Sequence, residues 1–200
     1  MKMVEKTGAS GGAAQVPSTE QLEQELKRVK HNREFGHVFR NTIYVLLVVA
    51  AVAVLIATMV LPVLQVTGTS MEPTLESGQI VLAVKNASFH QGDVVAFYYN
   101  NKVLLKRVIG LPGDQIVIDQ DGNVSVNGNK LDEPYISEKS IGECDLDFPY
   151  QVPDGKIFVL GDHRATSVDS RSNTIGCISE ENIVGEVVFR VWPLNRFGTL

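Results

Sequence analysis

From Ile43 to Leu61 the chain carries no charged side chain, and its only polar side-chain groups are the Tyr44 and Thr58 hydroxyls. At a rise of about 1.5 Å per residue this run reaches about 30 Å, the thickness of a bilayer's hydrocarbon core. Pro62 and Gln65 mark where a regular helix ends. Upstream, Ser18 and Gln21 stand at capping-box spacing, and Leu22, Leu26 and Val29 recur at helical spacing between Glu and Lys residues. That pattern predicts a short, weakly amphipathic helix. Residues up to Pro17 are rich in Gly, Ala and Ser without a hydrophobic period, and read as a disordered tail. The chain thus divides into a tail with a short helix (1–42), a transmembrane anchor (43–64) and a water-soluble domain (65–200).

Beyond the anchor, the pattern shortens to strand-length apolar segments separated by turn residues. Gln79–Val84, Asp93–Tyr99, Lys102–Ile109, Gln115–Asp119, Val124–Val126, Lys130–Ile136, Lys156–Leu160 and Glu186–Trp192 are the expected strands. Asn100-Asn101 suits a tight hairpin, Leu111-Pro112-Gly113-Asp114 has Pro and Gly where a type II turn needs them, and Ser179–Ile183 suits a brief helical turn. Strands do not alternate with helices. The expected fold is therefore mostly β, an antiparallel sheet domain behind a single N-terminal transmembrane helix.

Charge supplies an orientation. Lys27, Arg28, Lys30, Arg33 and Arg40 precede the apolar run, and no basic residue follows it until Lys85. The positive-inside rule then keeps the N-terminus in the cytoplasm and puts the large domain outside the cell membrane. A cleavable signal peptide has a shorter leading region and a shorter core than these, so an uncleaved anchor in the lipid bilayer is the better reading. A net charge of −5 argues against nucleic acid as a partner. Scattered histidines and the lone pair Cys144 and Cys177 offer no metal spacing, so neither metal nor organic cofactor is expected. Export permits a Cys144–Cys177 disulfide; two separate thiols are the equal alternative.

Three stretches carry candidate chemistry. In V-T-G-T-S-M-E-P-T-L, Gly68 and Pro73 flank Ser70 and can hold its hydroxyl in a defined, exposed place. In L-L-K-R-V-I-G-L-P-G-D, strand alternation puts Lys106 on the face of Leu104 and Val108, with Leu105, Arg107 and Ile109 on the other. Apolar neighbours disfavour a charged amine, and lowering a lysine from about 10.4 to ~8 takes roughly 3 kcal/mol, which burial can supply. An edge-strand lysine snorkelling to solvent is the plain alternative. In G-D-H-R-A-T-S-V-D-S-R, Asp162, Arg164, Asp169 and Arg171 can order a loop through ion pairs, and Ser167 and Ser170 add hydroxyls.

Together S-M-E-P-T-L, Q-G-D-V-V-A-F, K-R-V-I-G-L-P-G-D and G-D-H-R-A-T-S-V-D-S-R, in this order behind an anchor, resemble the bacterial type I signal peptidases, membrane-bound Ser–Lys serine proteases. The resemblance implies Ser70 as nucleophile, Lys106 as general base and Ser167 as the serine that orients the lysine amine. It implies supporting ion pairs Asp169–Arg171 and Asp162–Arg107. It also implies preprotein substrates with small residues at −1 and −3 from the scissile bond. Small apolar pockets are expected near Met71, Leu75 and Leu105. Two positions depart from the family pattern. Gly68 stands where some members have a serine that serves the oxyanion hole, and His163 stands where Asn is more frequent. His163, beside Asp162, also raises a Ser–His–Asp alternative. Outside this family, a self-cleaving Ser–Lys protein and an inactive tethered β module that binds exported chains are the competing readings.

Overall fold

The computed structural model of the chain describes residues 18–85 and 89–200, apart from the side chains of residues 29 and 31–35. The tail expected up to Pro17 lies outside the described residues. The chain forms two units, one ending at Ala53 and one spanning Val54–Leu200.

In place of a short helix and a separate span, one helix, α1, runs Thr19–Val60. Ser18 caps it reciprocally: its Oγ accepts from the Gln21 N–H at 3.3 Å, and its own N–H donates to Gln21 Oε1 at 3.1 Å. No proline interrupts the basic stretch, so nothing separates the two helical patterns. Gly36–Val60 is long and apolar enough to cross a membrane, and starts earlier than Ile43. The helix stops ahead of Pro62, because the residue before a proline is driven out of helical geometry. Val63 and Leu64, counted in the anchor by composition, instead open a strand that runs to Gln65.

The strands are β1 (Val63–Gln65), β2 (Ile80–Val84), β3 (Val94–Tyr99), β4 (Lys102–Gly110), β5 (Gln115–Ile118), β6 (Val124–Val126), β7 (Asn129–Lys130), β8 (Tyr150–Gln151), β9 (Lys156–Leu160), β10 (Ile178–Ser179), β11 (Ile183–Trp192) and β12 (Gly198–Thr199). The larger sheet has the order β1-β2-β11-β3-β4-β9-β10 with β12 on β11, and the smaller has β7-β6-β5-β8. Their pairings are antiparallel, as expected. The strand expected over Lys130–Ile136 shrinks to β7. Pro134 has no N–H for a ladder, and Glu133 and Tyr135 are occupied elsewhere, as described below. At the L-P-G-D turn the Asp114 N–H donates to Leu111 O at 3.0 Å and Gly113 takes φ 85°, the left-handed position that a type II turn demands.

Register on β4 decides the site. Val94, Val95 and Ala96 of β3 lie opposite Arg107, Lys106 and Leu105. Val95, Leu104 and Val108 pack in one apolar cluster, while Leu105 packs with Val94, Ala96 and Val187 in another. Lys106 is therefore on the Leu104–Val108 face, as alternation predicts. On its other side β4 pairs with β9 only from Arg107 onward, so Lys102–Lys106 has a single sheet neighbour. Cys144 and Cys177 are both free and half-buried. Cys177 Sγ donates to Tyr150 Oη at 3.6 Å and Cys144 Sγ to Leu146 O at 3.8 Å, which decides the disulfide question in favour of separate thiols.

Candidate active site

Ser70 sits in a turn between β1 and β2, entered through Gly68 at φ 87°. The Glu72 N–H donates to Thr69 O at 3.0 Å and the Leu75 N–H to Met71 O at 2.9 Å. This winds the turn so that Met71 and Leu75 both point into the core, at 2% and 0% exposure. Two buried anchors thus leave the half-buried Ser70 fixed at the surface. Its carbonyl accepts from the His163 N–H at 3.1 Å. Among the described residues, no hydrogen bond engages its own N–H or Oγ.

Lys106 is 3% exposed. Burial pulls its amine down from the ordinary 10.5 to about 8; Asp169 opposes that shift, Arg171 adds to it, and Asp162 again opposes it. Half of the amine is then neutral near pH 8. The snorkelling alternative is set aside by this burial. Ser70 and Lys106 line one cleft of about 310 Å³, with Leu64–Gly68 and Met71 on one flank and Lys102–Leu105 on the other. The expected pocket residues Met71 and Leu105 line it. Leu75 does not, because the turn that buries Met71 carries Leu75 on into the core.

The loop after β9 supplies the rest. Arg107 forks onto Asp162, Nε to Oδ1 at 2.8 Å and Nη2 to Oδ2 at 2.6 Å, and Arg171 forks onto Asp169, both at 2.8 Å. All four are buried, and both predicted ion pairs are present. Bidentate geometry is what lets a buried pair offset its desolvation. Ser167 Oγ is buried and has no hydrogen-bond partner among the described residues. It lies against Gly161, where a Cβ would stand 2.1 Å from Ser167 Oγ and 2.5 Å from Ser70 O. The Gly161 N–H donates to Asp169 Oδ2 at 3.0 Å. Gly161, Thr74 and the Glu133–Arg164 pair escaped the sequence reading. A glycine needed for close approach looks like any turn glycine until its neighbours are known.

His163 turns the other way. Its Nδ1 is hydrogen-bonded to Thr166 Oγ1, and its ring borders a separate surface cleft with Glu72, Glu76 and Ser137. Asp162 serves Arg107 and Thr74, not His163. These contacts do not assemble a Ser70–His163–Asp162 relay. No group of three or more metal-ligating side chains occurs among the described residues.

A family model described as "Signal peptidase, peptidase S26" matches residues 39–192. Signal peptidase I of Bacillus caldolyticus is 43% identical over 149 residues, spanning 66% of this chain and 80% of that protein. Signal peptidase IB of Staphylococcus aureus is 39% identical over 152 residues, spanning 66% and 78%. A solved signal peptidase I from Enterococcus faecalis is 28% identical with a TM-score of 0.43, covering 50% of this chain and 97% of that one.

Proposed function

Since the chain belongs to the signal peptidase family, peptidase S26, we propose that it removes signal peptides from exported preproteins, with Ser70 as nucleophile and Lys106 as general base. The observation that carries this reading is a buried lysine with a depressed pKa lining the same cleft as a serine hydroxyl that has no hydrogen-bond partner among the described residues.

Neutral Lys106 accepts the Ser70 Oγ proton as the oxygen attacks the scissile carbonyl. The charge that develops on the carbonyl oxygen is met by the unengaged Ser70 N–H, a preorganised donor. With Gly68 lacking a side chain, that amide carries the role a serine hydroxyl shares in some relatives. As the tetrahedral intermediate collapses, the C–N bond breaks and Lys106 returns its proton to the departing amine of the mature protein. Water then gives a proton to Lys106 and attacks the ester; as the ester C–O bond breaks, Lys106 passes that proton to Ser70 Oγ, releasing the signal peptide as a carboxylic acid and regenerating the neutral base and the serine. Ser167 is the group proposed to orient the amine, its buried oxygen having no partner among the described residues. Asp162–Arg107 and Asp169–Arg171 hold the loop that presents it.

Substrate selection follows from the cleft's flanks. β1 is an edge strand, and Lys102–Lys106 lacks a second neighbour, so an extended peptide can pair with exposed backbone on either side. In an extended chain residues −1 and −3 face the same way. Met71 and Leu105 wall that side closely, which favours small side chains at both. The apolar stretch of α1 anchors the protein in the cell membrane, with the basic flank cytoplasmic and the catalytic domain outside.

The direct test incubates detergent-solubilised full-length protein with a preprotein and sequences the N-terminus of the product. Cleavage after a small residue is expected, with Ser70→Ala and Lys106→Ala inactive though folded. An active Lys106→Ala variant would sink the dyad.

A further inference from the structure

Glu133-Pro134-Tyr135 lies in neither sheet, yet two arginines of the site end on it. The Glu133 carboxylate accepts from Arg164, Nη2 to Oε1 at 2.5 Å and Nη1 to Oε2 at 3.3 Å, with both side chains 1% exposed. Tyr135 Oη donates to Glu133 Oε1 at 3.1 Å, and the Tyr135 ring lies 3.9 Å from Arg107 Cζ. On their far sides the same arginines reach the reacting groups. Arg164 Nε donates to Gly161 O at 3.0 Å, and Gly161 is the residue against which Ser70 O and Ser167 Oγ are packed. Arg107 follows Lys106 on β4. Besides its fork onto Asp162, it donates to Gly92 O at 2.6 Å and Thr74 Oγ1 at 3.2 Å. Thr74 belongs to the Ser70 turn and itself donates to Asp162.

We infer that Glu133 and Tyr135 are positioning residues, a clamp that sets the base strand, the serine turn and the Ser167 loop relative to one another; the inference rests on the dyad reading above. The physics is that of a guanidinium held on both sides. A ring against one face of Arg107 fixes the plane in which its fork meets Asp162, and a flat cation is favoured over an aromatic face. Arg164 is fully buried, so its charge needs the Glu133 carboxylate opposite it as compensation, and that fork fixes the guanidinium whose Nε holds the Gly161 carbonyl. Displacement of either arginine moves Lys106 against Ser70, while neither arginine itself lines the cleft that binds peptide. The clamp therefore acts on turnover rather than on binding.

Full-length protein in detergent, with a preprotein-derived peptide, separates these quantities. Tyr135→Leu is expected to lower kcat by about tenfold or more, as small misplacements of reacting groups do. KM should stay within about twofold, and unfolding should remain cooperative. Tyr135→Phe keeps the ring and should recover most of the loss. Parent-like kinetics in Tyr135→Leu, a loss in Tyr135→Phe as large as in Tyr135→Leu, or a loss that merely tracks the unfolded fraction would each overturn the clamp. Glu133→Leu combined with Arg164→Met removes the buried pair without stranding a charge. Normal melting with depressed kcat supports the inference; recovery of both overturns it. Ser70→Ala and Lys106→Ala run alongside. If either cleaves, the dyad reading fails whatever Tyr135 does; if both are silent and Tyr135→Leu matches the parent, only the clamp fails.

Discussion

Lys106→Met should abolish cleavage and stabilise the folded protein at neutral pH, two effects with one cause. The amine is buried and its pKa falls from 10.5 to about 8. The difference, 10.5 minus 8, corresponds to about 3 kcal/mol at roughly 1.4 kcal/mol per unit. A lysine whose folded pKa lies below its unfolded value binds fewer protons folded than unfolded between the two. Stability therefore rises with pH from about 8 to 10.5, and the whole penalty stands below pH 8. Methionine is unbranched, similar in length and uncharged, so it fills the site without that penalty. The variant should exceed the parent by up to about 3 kcal/mol at pH 7, with the gap closing as pH approaches 10.5. The same value sets the activity profile. About a tenth of the parent's lysine is neutral at pH 7 and about nine-tenths at pH 9, so kcat/KM should rise about tenfold across that interval. At an unshifted pKa only about 3 in 10,000 would be neutral at pH 7, so burial multiplies the available base several-hundredfold. Denaturant unfolding of the detergent-solubilised proteins at pH 7, 8.5 and 10, followed through the single tryptophan, Trp192, reads the first quantity. A stability gap that is flat with pH, or an acidic limb in the cleavage profile near 6.5, would refute the reasoning.

What could be read from the residues, and what could not, divides by range along the chain. The helix cap at Ser18, the two-residue hairpin after Tyr99 and the Leu111–Asp114 turn depend on neighbours a few positions apart, and the sequence shows them. Alternation likewise placed Lys106 on the Leu104–Val108 face, because that needs only the strand period. Long-range closure was not legible. Val63 and Leu64 are apolar enough to pass for membrane, and join a strand because β2 offers them partners. Lys130–Ile136 alternates like a strand but leaves the sheet, where Glu133 and Tyr135 meet arginines 31 and 28 positions away. The Ser70, Lys106 and loop stretches were readable only as a set, through the family resemblance; each alone had an ordinary structural explanation. Gly161 is the extreme case, since its role consists of a collision with Ser167 in its own loop and with the distant Ser70.

Three further outcomes test the site and its setting. His163→Asn should keep activity within a few-fold of the parent in the preprotein assay, because the ring lies outside the cleft that holds Ser70 and the backbone N–H to Ser70 O survives; an inactive, folded variant would revive the histidine base. Protease added to intact spheroplasts should digest the domain from Gly68 onward, as the basic flank before the span implies; protection there would reverse the orientation. Gly161→Ala should lower kcat by about 100-fold or more, and the reason is geometric. Its Cβ would stand 2.1 Å from Ser167 Oγ and 2.5 Å from Ser70 O, far inside contact distance. Retreat is blocked, because the Gly161 N–H is held by Asp169 and its carbonyl by Arg164. The strain must therefore move Ser70 or Ser167, at an overpacking cost of about 1–3 kcal/mol in stability. Adding Ser167→Ala removes the Oγ collision but leaves those with the Ser70 carbonyl at 2.5 Å and with the position-167 Cβ at 2.6 Å. The double variant should thus regain some stability and little turnover. A Gly161→Ala enzyme that melts and turns over like the parent would show that the serine turn and the loop are not coupled through this contact.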